Sequence, residues 1–420
     1  MRNTLKLALR GLRRNSRRSM MTMLAIELGF SAISLFAGYT HNIYDGLKRQ
    51  SIHSAMLGHL TLAKRGMSKE GKFNPEHYLL TSAEVDAISK LLKDEVHIKI
   101  VAPRLGLSGL ISNGRASTIF IAEGIEPMAM ERLQANVLTD TEKKSGLYNK
   151  MNKQLDNAHP DVVELSEGLV DLLHLSVNGQ AAVLVSTLSG QANALDITLG
   201  HAFNTGNAGS NDKFVYMSLA LARSLLDAEG RADRLTILLD DVNNTEMMRV
   251  HLLKKLNAAK FDVEIQTWQE LSDFYNQVHG MFDMVFGFIF FIVLTVVVMS
   301  VANSMGMTVV ERTREIGTLR AIGLKRSGVV RLFATESMLL TVIGCVIGLL
   351  IALGVRWGIN VAHISYTPPG SASETPLLVD IDGTRIMFTF VLMAVVGTLA
   401  AYMPARRAAK KDIIDALGHV

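Results

Sequence analysis

Cysteine is almost missing from this chain of 420 residues: Cys345 is the single one. One thiol excludes an intrachain disulfide, so any large folded unit must stand on its own core. No GxxxxGK[ST] loop occurs, which removes the common backbone cradle for nucleotide phosphates. Neither a GxSxG elbow nor an HExxH pair is present, and Ser, His and Asp never gather into a catalytic constellation. His41, His53 and His59 lie close in sequence but lack the paired spacing of metal ligands, and read as surface or interface histidines. Acids are missing from residues 1–18, where Arg2, Lys6, Arg10, Arg13, Arg14, Arg17 and Arg18 stand.

Charge itself is what four segments lack. They are 20–40 (Glu27 alone), 284–310 (none), 332–355 (Glu336 alone) and 386–405 (none). About 20 apolar residues cross a hydrocarbon core of about 30 Å, so each is long enough to span a membrane. Mean hydropathy of +0.24 agrees. As a helix, the 284–310 run would be roughly 40 Å long, with length to spare beyond the bilayer. The spans divide the chain at 1–19, 20–41, 42–280, 281–310, 311–330, 331–355, 356–384, 385–405 and 406–420. The predicted fold class is a membrane α-helical protein of four transmembrane helices, with a large α+β extracytoplasmic domain between helices 1 and 2.

Orientation follows from the flanks. Arg312, Arg314, Arg320, Lys325, Arg326 and Arg331 lie between spans two and three, and Arg406, Arg407, Lys410 and Lys411 follow span four. The loop between spans three and four has few bases and includes Asp380 and Asp382. The positive-inside rule then puts both termini and the 311–331 loop in the cytoplasm. These flanks account for the net charge of +4, which is therefore no nucleic-acid signal. The first apolar run exceeds a usual signal-peptide core and LFAGYTHN offers no small-x-small cleavage site, so an uncleaved anchor is expected.

Residues 42–280 read as mixed α and β, in two lobes with a loop at the junction. SAEVDAISKLLK from Ser82 has the look of a capped amphipathic helix. VHIKIVAP, GLSGLIS, STIFIAEGI and AAVLVSTL look like strands, ELSEGLVDLLHL (164–175) and EMMRVHLLKKLNAAK like helices. Residues 136–160 read as polar loop and HAFNTGNAGSND (201–212) as a long flexible turn.

Residues 311–326, ERTREIGTLRAIGLKR, change character abruptly after the uncharged run. As a helix, 311–322 aligns Ile316, Leu319 and Ile322 on one stripe, with Glu311–Arg314 and Arg312–Glu315 as opposite charges three apart. The stripe is too thin for a core and suits a groove on a protein partner, or else belongs to a solvated loop helix. Gly323 stands where a C-terminal cap is expected. In the third span Gly344 and Gly348 share a helical face with Ala352; such spacing allows close helix contact, across a dimer for instance, or is ordinary glycine content of membrane helices. Glu27 and Glu336 are costly in a bilayer and lie near the cytoplasmic end. Snorkelling, or pairing with Arg331, Arg17 or Arg18, is expected of them in a structural or interfacial role.

The pattern at Glu311, Arg312, Glu315, Ile316, Gly317, Ala321 and Gly323, continuing to Glu336, Gly344 and Gly348, resembles the FtsX-like/MacB-type ABC transporter permeases, which include LolC and LolE. Pro404, Ala405, Arg406, Arg407, Ala408 and Ala409 are similar to that family's C-terminal ending, and Ile413 departs from it where a second proline is frequent. The resemblance implies a permease subunit without catalysis of its own. It also implies a dimer with a second permease copy or a paralogue, and an ABC ATPase subunit bound through the 311–323 coupling helix at Glu311, Arg312, Arg314, Glu315, Ile316, Gly317, Leu319, Arg320, Ala321 and Gly323. ATP and Mg would sit in that ATPase, held on a separate polypeptide, and this chain would bind no cofactor. LSGQ (Leu188–Gln191) looks like part of an ABC-ATPase signature, but without a phosphate loop it reads as a turn between strands. Further implications are the bacterial inner membrane and its lipids, a periplasmic large domain, and motion passed along helix 2. Lipoprotein release is the leading cargo reading. Efflux with a periplasmic adaptor, or FtsX-like control of cell-wall hydrolases, are the alternatives.

Overall fold

Four helices are long and apolar enough to cross a membrane in the computed structural model, which describes residues 16–71, 74–134, 155–156, 158–367 and 374–410. Residues 1–15 and 411–420, with most of the basic terminal positions, lie outside the described residues, as does nearly all of the 136–160 segment. The described chain divides into two units: residues 16–44, 278–365 and 376–410 form a helical one, and 45–277 with 366–375 a mixed one.

In the helical unit, α1 (Ser16–Arg49) carries the first span. Helix α7 (Asp273–Glu311) is 39 residues long, about 58 Å at 1.5 Å per residue and well beyond a bilayer core. A break at Arg312 separates it from α8 (Thr313–Ala321), and α9 (Arg326–Ala362) and α10 (Gly383–Lys410) follow. Helix α9 runs further than the 331–355 span, so the loop expected at 356–384 shortens. The shared core draws Ile26, Phe30 and Ile33 from α1, Val297 and Val301 from α7, Phe333 and Leu340 from α9, and Met393 and Ala401 from α10. Small and β-branched residues there let the helices approach closely, which is how packing holds helices together in lipid.

The mixed unit is built on nine strands among the described residues: β1 (Leu60–Lys64), β2 (Ile98–Ser112), β3 (Ser117–Ile125), β4 (Val162–Ser166), β5 (Gln180–Ser186), β6 (Ala192–Phe203), β7 (Phe214–Ser218), β8 (Arg234–Leu239) and β9 (Val263–Thr267). Their order is β3-β7-β4-β6-β5-β2-β8-β1-β9, and a further β2–β3 pairing closes six of them into a ring. Inside the ring, alternation decides the core: in β5 Ala181, Val183 and Val185 point inward while Gln180, Ala182, Leu184 and Ser186 point out. Phe120, Val163, Leu165, Leu199, Val215 and Met217 complete this core with Leu221 and Leu225 of helix α5 (Leu219–Leu226), while α3 (Pro127–Gln134) gives Met130 and Leu133 to a separate cluster.

A second core lies where helices α2 (Ser82–Leu92) and α6 (Thr245–Ala258) cover the β1, β8 and β9 side, with Leu62, Ile88, Leu92, Ile237, Leu252 and Ile265. Helix α2 starts from a capping box in which Thr81, one residue before the expected Ser82, exchanges hydrogen bonds with Glu84. Where two lobes joined by a loop were expected, the joint is the 15-residue strand β2. It pairs with β8 through its first half and with β3 and β5 through its second.

Two local readings differ from the structure. Glu164–Ser166 belongs to strand β4 and only Glu167–Leu172 is helical (α4), because Val163 and Leu165 are drawn into the ring. Residues 201–203 finish β6, and the turn beyond is cross-tied: Thr205 N donates to Asn211 Oδ1 at 3.1 Å and Gly209 N to Asn207 Oδ1 at 2.9 Å.

Candidate functional site

The charged segment after α7 is shaped by two interruptions of the helix. Arg312 leaves helical geometry at φ −103°, ψ 15°, and α8 restarts at Thr313, whose hydroxyl donates back to Val309 O at 3.0 Å. At the other end Gly323 takes φ +106°, a left-handed conformation that a side chain would strain. Gly323 N donates to Arg320 O and Leu324 N to Leu319 O, both at 3.0 Å, the two bonds of a Schellman motif. Lys325 is then extended and α9 begins at Arg326.

The charges turn inward. Glu311 receives both guanidinium nitrogens of Arg18 on α1, at 2.6 and 3.0 Å. Arg312 reaches Glu315 through Nε at 2.9 Å and Glu336 on α9 through Nη1 at 3.0 Å, while its guanidinium carbon lies 5.7 Å from the centre of the Phe333 ring. Glu336, with its side chain 3 % exposed, therefore pairs with Arg312 and not with Arg331, Arg17 or Arg18 as expected. The reason is the break at residue 312, which leaves the Arg312 side chain free to reach Glu336 on α9. Arg18 in turn is engaged by Glu311.

The expected docking stripe is also split. Ile316 is only 5 % exposed and packs into the helical core near Val309, Val329, Phe333 and Ala405, with Gly317 buried beside it. Leu319 and Arg320 are half-buried. Ile322 is 79 % exposed. Facing out are Arg314, Thr318, Ala321 and Ile322, which share one helical face at spacings of four, seven and eight. That spacing is present in the sequence, where it competes with the stripe of Ile316, Leu319 and Ile322.

The glycines of the third span are used within the chain. A Cβ on Gly344 would lie 2.9 Å from Ile26 Cγ2, and one on Gly348 would lie 2.7 Å from the Glu27 backbone oxygen. The face carrying Gly344, Gly348 and Ala352 thus lets α9 touch α1, in place of the contact across a dimer that was one expectation. Glu27 is half-buried at this crossing. Ser337 Oγ donates to Gly397 O at 2.7 Å, tying α9 to α10.

Sequence reasoning missed the polar ties at the opposite end of the helices. Tyr44 donates to Asp283 Oδ1 at 2.9 Å and stacks on His279 with ring centres 4.2 Å apart, joining α1 to α7. Asn42 donates to Asp380 at 3.0 Å, and Asp380 N donates to Gly38 O at 3.2 Å. Each residue type is unremarkable alone; no local spacing marks pairs more than 230 positions apart.

The mixed unit holds a buried charge cluster at Arg104, where β2 passes from its pairing with β8 to its pairing with β3. Arg104 donates to Met56 O at 2.5 Å and pairs with Glu123 at 3.0 Å; Arg234 pairs with the same Glu123 and with Asp233 at 2.9 Å. Burial pushes the Asp233 carboxyl up, while the two guanidiniums hold Glu123 below the usual carboxylate range. His59, expected at a surface or an interface, is buried: its Nδ1 accepts from Leu239 N at 3.0 Å, and burial pushes it down to about 4. Burial likewise lifts Glu164 to about 7. Leu188–Gln191 forms the β5–β6 turn, closed by Thr187 N donating to Gln191 O at 2.8 Å. The candidate functional face is the outer side of α8, where Arg314, Thr318, Ala321 and Ile322 are exposed and Arg312 and Glu336 stand behind.

Residues 287–413 match the family described as FtsX-like permease C-terminal. The pyoverdine export ATP-binding/permease protein PvdT of Pseudomonas entomophila is 33% identical over 176 residues, covering 42% of this chain and 25% of that protein. The ABC transporter permease YtrF of Bacillus subtilis is 34% identical over 144 residues, covering 32% and 33%. The macrolide export ATP-binding/permease protein MacB of a Shewanella species is 23% identical over 437 residues, covering 98% and 60%. The chain thus spans less than two thirds of the length of these relatives. The solved periplasmic region of MacB from Actinobacillus actinomycetemcomitans aligns at 15% identity with TM-score 0.32, covering 52% of this chain and 92% of that one.

Proposed function

We propose that this chain, whose residues 287–413 match the family described as FtsX-like permease C-terminal, is a permease of an ABC transporter that receives the stroke of an ATPase on α8 and passes it to the mixed unit. The observation that carries this reading is the outward face of α8: an isoleucine 79 % exposed, framed by Arg314 and followed by Leu324, Lys325 and Arg326, with no catalytic group near it. An apolar centre with a charged rim is the make-up of a protein-docking patch. In this reading Arg314, Thr318, Ala321 and Ile322 touch the ATPase, whereas Arg312, Glu315, Ile316 and Gly317 hold α8 in place and Gly323 ends it. ATP and Mg belong to the ATPase.

The helix ends suit such a role. Helix α7 is about 58 Å long, and α1 and α7 are tied near both ends by Arg18–Glu311 and Tyr44–Asp283, so the two can move as one strut. In our reading the strut crosses the bacterial inner membrane, with α8 and both termini cytoplasmic and the mixed unit periplasmic, and a second permease copy or paralogue completes the complex. On cargo, the relatives bear the names of pyoverdine and macrolide exporters, which supports export of a small organic molecule. Lipoprotein release rests on resemblance alone.

The test is a photo-crosslinking amino acid at Arg314, Thr318 or Ile322 in the native membrane, with Ile316 as the inward control. We expect an ATP-binding protein captured from the first three positions and not from the fourth. Absence of any nucleotide-binding protein from all three would end this reading.

A further inference from the structure

Helix α8 is set off from its neighbours at both ends, by the non-helical residue Arg312 on the α7 side and the left-handed Gly323 on the α9 side. Backbone hydrogen bonds close each turn, Arg312 N to Thr308 O at 3.1 Å and Leu324 N to Leu319 O at 3.0 Å, and side chains add to them. Ile316 and Gly317 supply apolar contact, which permits sliding. Arg312 supplies direction: Nε to Glu315 on α8 itself, Nη1 to Glu336 on α9, and its plane over the buried Phe333. A guanidinium held on three sides leaves little rotational freedom, because its donors are fixed in one plane.

Stability does not explain the pair. Glu336 stands in α9 with its side chain 3 % exposed, and Arg312's is 16 % exposed. Replacing such a pair by well-packed apolar groups of similar size is commonly neutral or even stabilising, since the desolvation cost of both charges disappears. What an apolar pair cannot reproduce is the directional tie between two helices. We propose that Arg312 and Glu336 form a positioning pair that sets the orientation of α8 on α9, so that a push on α8's outer face is carried into α9 and not lost in the Arg312 break. The transmission part rests on the ATPase reading above; the positioning part does not.

The experiment uses the full chain in lipid nanodiscs, with Cys345→Ala and spin labels at the exposed positions Thr318 on α8 and Leu350 on α9. The parent chain should give one narrow distance distribution. R312M/E336M should keep the parent's thermal midpoint yet broaden the distribution at least twofold, and the charge swap R312E/E336R should narrow it again. Arg312→Lys, which keeps the charge but loses the planar fork, should also broaden it. If R312M/E336M fails to fold, Arg312→Lys alone decides. A distribution as narrow as the parent's in the folded apolar pair, or in Arg312→Lys when that decides, overturns the proposal. No ATPase enters these measurements, so their outcome is independent of whether crosslinking at Ile322 captures one.

Discussion

Two isoleucines six positions apart on the same short segment should fail in opposite ways. Ile322 is 79 % exposed, so truncation to alanine leaves the fold alone and removes apolar contact from whatever covers it. Burying an isoleucine side chain is worth ~1.5–3 kcal/mol, so Ile322→Ala should weaken ATPase binding by about 2 kcal/mol, roughly 30-fold in Kd. Its thermal midpoint should stay put, because exposed substitutions fall within about 0.5 kcal/mol. Ile316, 5 % exposed in the helical core, is the reverse: Ile316→Ala leaves a cavity and should cost about 2–5 kcal/mol of stability. The assay is titration of the nanodisc-held chain with the ATP-binding protein captured at Ile322, alongside thermal unfolding of each variant. Unchanged binding by Ile322→Ala, within twofold, refutes the assignment of the outer face. So does weakened binding by Ile316→Ala at an unchanged midpoint.

Gly348→Val should force α1 from α9, since its Cβ would meet the Glu27 backbone oxygen at 2.7 Å; a loss of about 1–3 kcal/mol is expected in thermal unfolding, against none for Gly354→Val, which meets open space. Glu311→Gln should cost no more than about 1 kcal/mol in the same assay, because the Arg18 and Glu311 side chains are 32% and 39% exposed. In the mixed unit two buried groups give opposite pH slopes. His59, at about 4 folded against 6.5 unfolded, stays neutral where the unfolded chain is protonated, so its contribution is lost as pH falls from 6.5 towards 4. Glu164, at about 7 against 4.5, stays protonated where the unfolded chain is ionised, so its contribution is lost as pH rises through that window. Between pH 7 and 5 each is worth about 2 kcal/mol and they nearly cancel. Followed by Trp268 fluorescence in a Trp357→Phe chain, Glu164→Gln should lose stability on acidification and His59→Gln should gain it; equal slopes in the two variants would contradict this.

How much of this was legible beforehand depends on the range of each interaction. The four long apolar helices could be read from 20–40, 284–310, 332–355 and 386–405 because hydrophobic length is a local property. Helix α6 and the alternating β5 were equally legible from period alone. Glu164–Ser166 misled because its pattern continues smoothly into a helix, and only the ring around Leu165 made it a strand. His59 looked like a surface or interface residue until the Leu239 amide turned it inward.

The amino-acid order by itself determined where the chain is apolar enough for a bilayer, where charge resumes after Val310, and where Gly323 can end a helix. These depend on neighbours within a few turns. Only the tertiary structure decided that Glu336 meets Arg312, that Glu311 meets Arg18, that Gly344 and Gly348 press on α1, and which side of α8 is exposed. Those contacts join residues from 24 to more than 300 positions apart, and their geometry is set by the break at Arg312 and the packing of α1, α7, α9 and α10. A side chain's type limits what it can bind; its place in the packed unit selects which partner it does bind.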